Sequence, residues 1–188
     1  MSVQRPATEA LPGPRQSFGP YRVCLVCLGN ICRSPMAEAV LREELARADL
    51  AGAVTVESAG TGDWHVGERI YGLAGAELAR HGYDGSAHRA RQIEASWLGR
   101  YDLVLAMDAS NLADLRRKAR GSDAAGRIRL LRSFDPGLTE DDPFDGDVPD
   151  PFGGQPGEYA RAFGLIHAAA KGLTGRLAEF LGAQPAGG

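Results

Sequence analysis

The chain has 188 residues, 44% hydrophobic, 24% charged and 7% aromatic, with 25 glycines and 11 prolines. This ordinary globular composition excludes a wholly disordered chain and suits one domain around a single core. Lysine and arginine number 21 against 24 acidic residues, a formal net charge of −3, so no broad basic field invites nucleic acid and any anion site must be local.

No apolar run approaches the roughly 20 residues that a membrane span needs, and residues 1–20 hold no continuous apolar segment. A soluble, cytoplasmic protein without a membrane partner is expected. The three cysteines, Cys24, Cys27 and Cys32, lie within nine residues, too close together to staple distant parts of a secreted fold. Zinc is disfavoured, because His65, His81, His88 and His167 have no ligand spacing near them. Neither a metal nor another cofactor is expected.

Residues 1–20, rich in Pro, Gly, Gln, Arg and Thr, and residues 183–188 read as flexible tails around a folded unit at 21–182. Short aliphatic runs predict strands at 22–27, 54–58, 103–107 and 128–131. Between them fall a helix opened by Pro35 and running to Ala48, a second from Ile70 to Gly82, and a third capped by Ser110 or Asn111 and running toward Gly121. In the last helix Tyr159, Phe163, Ile166, Ala170, Leu173, Leu177 and Phe180 recur at spacings of three and four, a single apolar stripe. Strands alternating with helices predict an α/β three-layer sandwich, with a four-stranded parallel sheet and helices on both faces. Ligands bind such sheets beyond the carboxyl ends of the strands, which points to the loop after the first strand. Gly60-Thr61-Gly62 lacks a glycine at 65 and so fails the dinucleotide pattern.

That loop reads Cys27-Leu28-Gly29-Asn30-Ile31-Cys32-Arg33-Ser34-Pro35 and passes from a strand into a helix, so its backbone N–H groups form an anion cradle. Gly29 and Asn30 tolerate positive φ and let the loop curl until successive amides converge. Arg33 adds a planar fork for two phosphate oxygens. Cys27 faces the same positive field, which favours a thiolate, and Ser34 is placed to donate a hydrogen bond to it. A thiolate under a bound phosphoryl group is the chemistry of a metal-free, cysteine-dependent phosphatase. Cys24, at an alternate position of a buried strand, reads as core.

The loop resembles that of the low-molecular-weight protein tyrosine phosphatases, Cys-x5-Arg-Ser after the first strand. The likeness continues in order through Ser58–Gly67, His81-Gly82, Ser86–Ile93, Met107–Asn111 and Pro149–Phe152. By that resemblance Cys27 is the nucleophile, Arg33 the phosphate clamp and Asp150 the general acid. The amides from Leu28 to Ser34 bind phosphate, while Asn30, Ser34, Ser58 and His88 form a supporting network. The substrates implied are tyrosine-phosphorylated proteins, handled by a monomer.

Three Asp-Pro pairs compete for the acid's place: Asp135-Pro136, Asp142-Pro143 and Asp150-Pro151. The distance to the last helix favours Asp150, with Asp142 second. Trp64 and Phe152 are candidate walls for an aryl ring, and Ile31 is a third candidate pocket residue, whose branched apolar side chain leaves room for an aryl ester. The family often carries Tyr-Tyr after its Asp-Pro, where this chain has Phe152-Gly153. An arsenate reductase of the same fold needs further cysteines, and none follows Cys32. A protein-arginine phosphatase resembles this loop with threonine where Ile31 stands. A non-catalytic phosphate-binding module needs neither thiolate nor acid. Cys32, five residues after Cys27, is a candidate redox partner for it.

Overall fold

The computed structural model describes residues 10–182. Strands β1 (Tyr21–Cys27), β2 (Val54–Gly60), β3 (Leu103–Ala106) and β4 (Ile128–Leu130) pair in parallel in the order β2-β1-β3-β4. Helices α1 (Arg33–Arg47), α2 (Gly72–Arg80), α3 (Ala109–Lys118) and α4 (Pro156–Gly182) complete the α/β sandwich. The central strand shows how the layers arise. Side chains alternate across a strand, so Val23, Leu25 and Cys27 enter the core beneath α1, α2 and α4, whereas Cys24 and Val26 enter the one shared with Leu115 of α3. Strand β3 repeats the division with Leu103 and Leu105 against Val104 and Ala106. The chain leaves β1 to one side and β3 to the other, placing the loop after Cys27 at the point where the strand order reverses.

The helices differ from expectation at their ends. Helix α1 begins at Arg33, two residues before Pro35, and its N-cap residue Cys32 makes no side-chain cap bond. Helix α3 is capped by Asp108, not by Ser110 or Asn111: its carboxylate accepts the Asn111 N–H at 2.7 Å. A carboxylate immediately before the helix reaches that orphan donor, whereas Asn111 is already inside the turn. Helix α2 starts at Gly72, two residues after Ile70, and ends before Gly82, whose φ is +81°.

Residues 10–20 depart from the expected tail. Leu11 is buried in the larger core, the Tyr21 hydroxyl donates to Pro12 O, and Arg127 and Arg129 donate to Gly13 O and Ala10 O. Asp102, buried before β3, accepts the Arg15 N–H at 2.6 Å and the Arg22 N–H at 2.7 Å. The segment lacks periodicity because it is neither strand nor helix, yet body side chains satisfy its backbone. Residues 1–9 and 183–188 of the predicted tails lie outside the described residues.

Candidate active site

The loop curls as its composition allows. Asn30 adopts φ +56°, a conformation that costs a non-glycine residue on the order of 1–3 kcal/mol and persists only where its surroundings impose it. Its side-chain amide is fully engaged. Nδ2 donates to Ser34 Oγ at 2.8 Å and Ser58 Oγ at 3.0 Å, and Oδ1 accepts the Arg91 N–H at 2.9 Å. Since a backbone N–H can only donate, the orientation of this amide is fixed. The Asn30 carbonyl accepts from His88 Nε2 at 2.7 Å, which sets the His88 tautomer. Burial holds the His88 pKa below its ordinary value, against the opposing effects of the Asn30 bond and Glu38. Behind Ser58, whose hydroxyl donates to it, stands the Glu38 carboxylate. Gly60 closes the arrangement: a Cβ there would lie 2.7 Å from Leu28 O, so only glycine lets β2 end beneath the loop.

This frame turns donors toward Cys27. The Asn30 N–H donates to Sγ at 3.2 Å, and Ser34 Oγ lies 3.0 Å away. The Ser34 hydroxyl has one proton, and Ala59 O at 3.3 Å is its other acceptor. The sulfur is the nearer of the two, and as a thiolate it would accept the hydrogen bond that the Ser34 hydroxyl donates. The uncapped start of α1 leaves its first N–H groups for an anion, the role a side chain fills in α3.

Arg33 is buried, its guanidinium held by three acceptors. Nη1 donates to Asp108 Oδ2 at 2.5 Å and Val148 O at 3.1 Å, and Nη2 to Asp150 Oδ2 at 3.0 Å. Burial opposes its charge, but Cys27, Asp150 and Asp108 more than offset that, so its pKa is raised. Asp150 reaches the site from the segment before α4, with a side chain 41% exposed. Asp142 does not reach it. Its carboxylate is clamped by Arg132 at 2.8 and 2.9 Å and accepts the Gly146 and Phe144 N–H groups; the Arg132 bonds foremost hold its pKa down at about 2. Asp135 turns to Arg132 and the Gly137 N–H.

A pocket of about 110 Å³ opens over the loop, lined by Cys27, Ile31 and Arg33 with Trp64, Asp150 and Phe152 around its mouth. Trp64 is 68% exposed and Phe152 54%, so these rings are pocket rim and not core. A larger open groove of about 520 Å³ behind the loop meets Glu38, Ser58 and His88; the smaller pocket is the one that Cys27 lines. The predicted residues Cys27 through Ser34, Ser58, Trp64, His88, Asp150 and Phe152 thus converge. Glu38, Asp108 and Arg91 were missed as contributors, as were His65, which lines the pocket, and Tyr71, whose ring meets that of Phe152. For Glu38 a signal existed, since it lies four residues after Ser34 on one face of α1. Cys32 is buried beside Cys27, and burial foremost pushes its thiol pKa up to about 12.

Comparisons with known proteins agree with this geometry. A low molecular weight protein-tyrosine-phosphatase of Streptomyces coelicolor is 48% identical over 159 residues, covering 85% of this chain and 94% of the relative. The low molecular weight protein-tyrosine phosphatase A of Mycobacterium tuberculosis is 42% identical over 154 residues, 82% of this chain and 90% of the relative. Among solved structures, YfkJ of Bacillus subtilis superposes with a TM-score of 0.76 at 34% identity, covering 90% of this chain and 99% of that one. A protein tyrosine phosphatase of Entamoeba histolytica, with Hepes in its active site, gives 0.79 at 27% identity over 86% of this chain and 99% of that one. The family description "Low molecular weight phosphotyrosine protein phosphatase" matches residues 22–182, and the chain belongs to that family.

Proposed function

We propose that the protein hydrolyses phosphotyrosine and other aryl phosphate monoesters through a cysteinyl-phosphate intermediate, acting as a monomer on tyrosine-phosphorylated proteins in the cytoplasm. The observation that carries the reading is Cys27 Sγ, with donors from Asn30 and Ser34, at the floor of a pocket that also holds Arg33 and Asp150. The phosphate oxygens would take the loop amides from Leu28 to Ser34 and the Arg33 fork, which spread the charge of the transferring group. Cys27 attacks phosphorus as the bond to the phenolate oxygen breaks, and Asp150 delivers a proton to that oxygen. Asp150 then accepts a proton from the water that cleaves the sulfur–phosphorus bond. Trp64 and Phe152 would flank the aryl ring, with Ile31 beneath.

Asp150 is favoured over Asp142 because a carboxylate clamped by Arg132 and held near 2 is ionised at working pH and points elsewhere. Two variants test the reading. Cys27→Ser is expected to lose more than about a hundredfold in turnover while still binding inorganic phosphate, because an alcohol in that place is a poor nucleophile. Asp150→Asn should slow phenyl phosphate far more than 4-nitrophenyl phosphate, whose leaving group departs without a proton. Substantial turnover by Cys27→Ser, or equal losses on both esters for Asp150→Asn, overturns the corresponding role.

A further inference from the structure

The segment bearing Asp150 has no helix or strand of its own, and its carboxylate is held to Arg33 by an ion pair. That hold is weakened by the reaction itself. A bound phosphate dianion competes for the Arg33 fork, and Asp150 must be protonated to act as an acid. Another contact is needed to keep the segment in place once substrate arrives. Two residues beyond Asp150, Phe152 meets Tyr71 edge to face, with ring centroids 5.4 Å apart and planes at 65°. Tyr71 is itself well anchored: its N–H donates to Ile31 O in the phosphate loop at 2.8 Å. Its ring stacks on Tyr159 of α4, with centroids 6.1 Å apart and planes at 17°.

We infer that Tyr71 is a positioning residue for the acid step, joining the phosphate loop, α4 and, through Phe152, the segment that carries Asp150. It also backs the wall that Phe152 presents to an aryl ring, and it is the nearer of the two rings that meet Phe152, His65 being the other at 5.9 Å between centroids. The inference rests on the roles given above to Asp150 and Phe152.

Its signature is selectivity between leaving groups, not overall loss. With Tyr71→Ala, kcat/KM for phenyl phosphate should fall about ten- to a hundredfold, as misplaced catalytic groups do. The value for 4-nitrophenyl phosphate should change by less than about threefold, which also reports a folded protein. Tyr71→Phe, which keeps the ring, should restore the wild-type ratio between the two esters to within about twofold. Phe152→Ala should shift the ratio in the same direction, on top of a loss common to both esters from the missing wall, and adding Tyr71→Ala to it should change the ratio no further. Equal losses on both esters, no change in the ratio, or additive effects in the double variant overturn the inference. If Tyr71→Ala is inactive on both esters, Phe152→Ala, whose ring is half exposed, decides alone: an unaltered ratio there overturns the inference. Asp150→Asn run in parallel separates the cases, since a flat response in that variant would sink the acid role itself.

Discussion

Residues that look alike in the sequence are separated by their partners. Asp135, Asp142 and Asp150 each precede proline, yet Arg132 takes the first two and Arg33 the third. Asp142 therefore contributes to acid stability and not to the proposed chemistry. Its folded pKa of about 2 lies below the value near 3.9 of an unfolded aspartate. Its contribution is complete above about pH 5 and lost as pH falls toward about 2. Urea denaturation across that window should show Asp142→Asn less stable at pH 5 and with a shallower acid decline than the parent. An unchanged decline would assign the acid sensitivity to other carboxylates. The cysteines divide similarly. Burial pushes Cys24 and Cys32 up to about 12, so both are thiols at neutral pH. For Cys32 the redox role remains our proposal: peroxide converts Cys27 to a sulfenic acid, and attack by Cys32 expels water and forms a disulfide. Peroxide inactivation should then be reversed by a thiol reductant in the parent but be largely irreversible in Cys32→Ser. Equal recovery of both proteins would leave Cys32 a packing residue.

At the scale of elements, start and stop residues, composition and, for α4, periodicity located the helices, while their ends and close approaches depended on neighbours. The apolar stripe of α4 is buried from Tyr159 to Leu177, as its spacing requires, and Phe180 packs edge-on against Tyr21. Glycine inside a helix costs roughly 1 kcal/mol relative to alanine, and α4 contains several. Gly172 has a tertiary reason: a Cβ there would fall 1.9 Å from Phe134 O, in the 3₁₀ turn at Leu131–Phe134. That overlap with backbone outweighs the gain in propensity. Gly172→Ala is expected to destabilise by about 1–3 kcal/mol. Gly164→Ala, where the added methyl meets nothing within 4 Å, should stabilise by up to about 1 kcal/mol. Denaturant midpoints of the two variants, shifted in opposite directions, are the check. The helix starts divide on the same principle, since α3 carries its own cap in Asp108 while α1 leaves its amides open at the pocket.

Across the whole molecule, binding chemistry and the N-terminal segment occupy opposite ends of the sheet. The pocket lies beyond the carboxyl end of β1, while residues 10–20 are tied to Asp102 and Tyr101 just before β3. Asp102→Ala leaves the Arg15 and Arg22 N–H groups without their acceptor, which predicts a loss of about 2–6 kcal/mol at roughly 1–3 kcal/mol per unsatisfied donor. Because the site is remote, kcat/KM should hold. Paired measurements of denaturation and turnover test this, and a proportionate fall in kcat/KM would show the two ends to be coupled.

The order of strands and helices, the parallel sheet and the position of the anion loop were legible in the sequence. Each follows from local periodicity, or from a run of residue types whose backbone preferences act within a few positions. Cys27, Asn30, Arg33 and Ser34 stood out for the same reason: they share one strand-to-helix turn. What tertiary structure decided was which distant groups meet them. Glu38 behind Ser58, Asp108 on Arg33, Tyr71 against Phe152 and Asp102 under residues 10–20 are contacts across the fold. A charged or aromatic side chain carries no local mark of the partner it will find, because that pairing is set only when packing brings separate elements together.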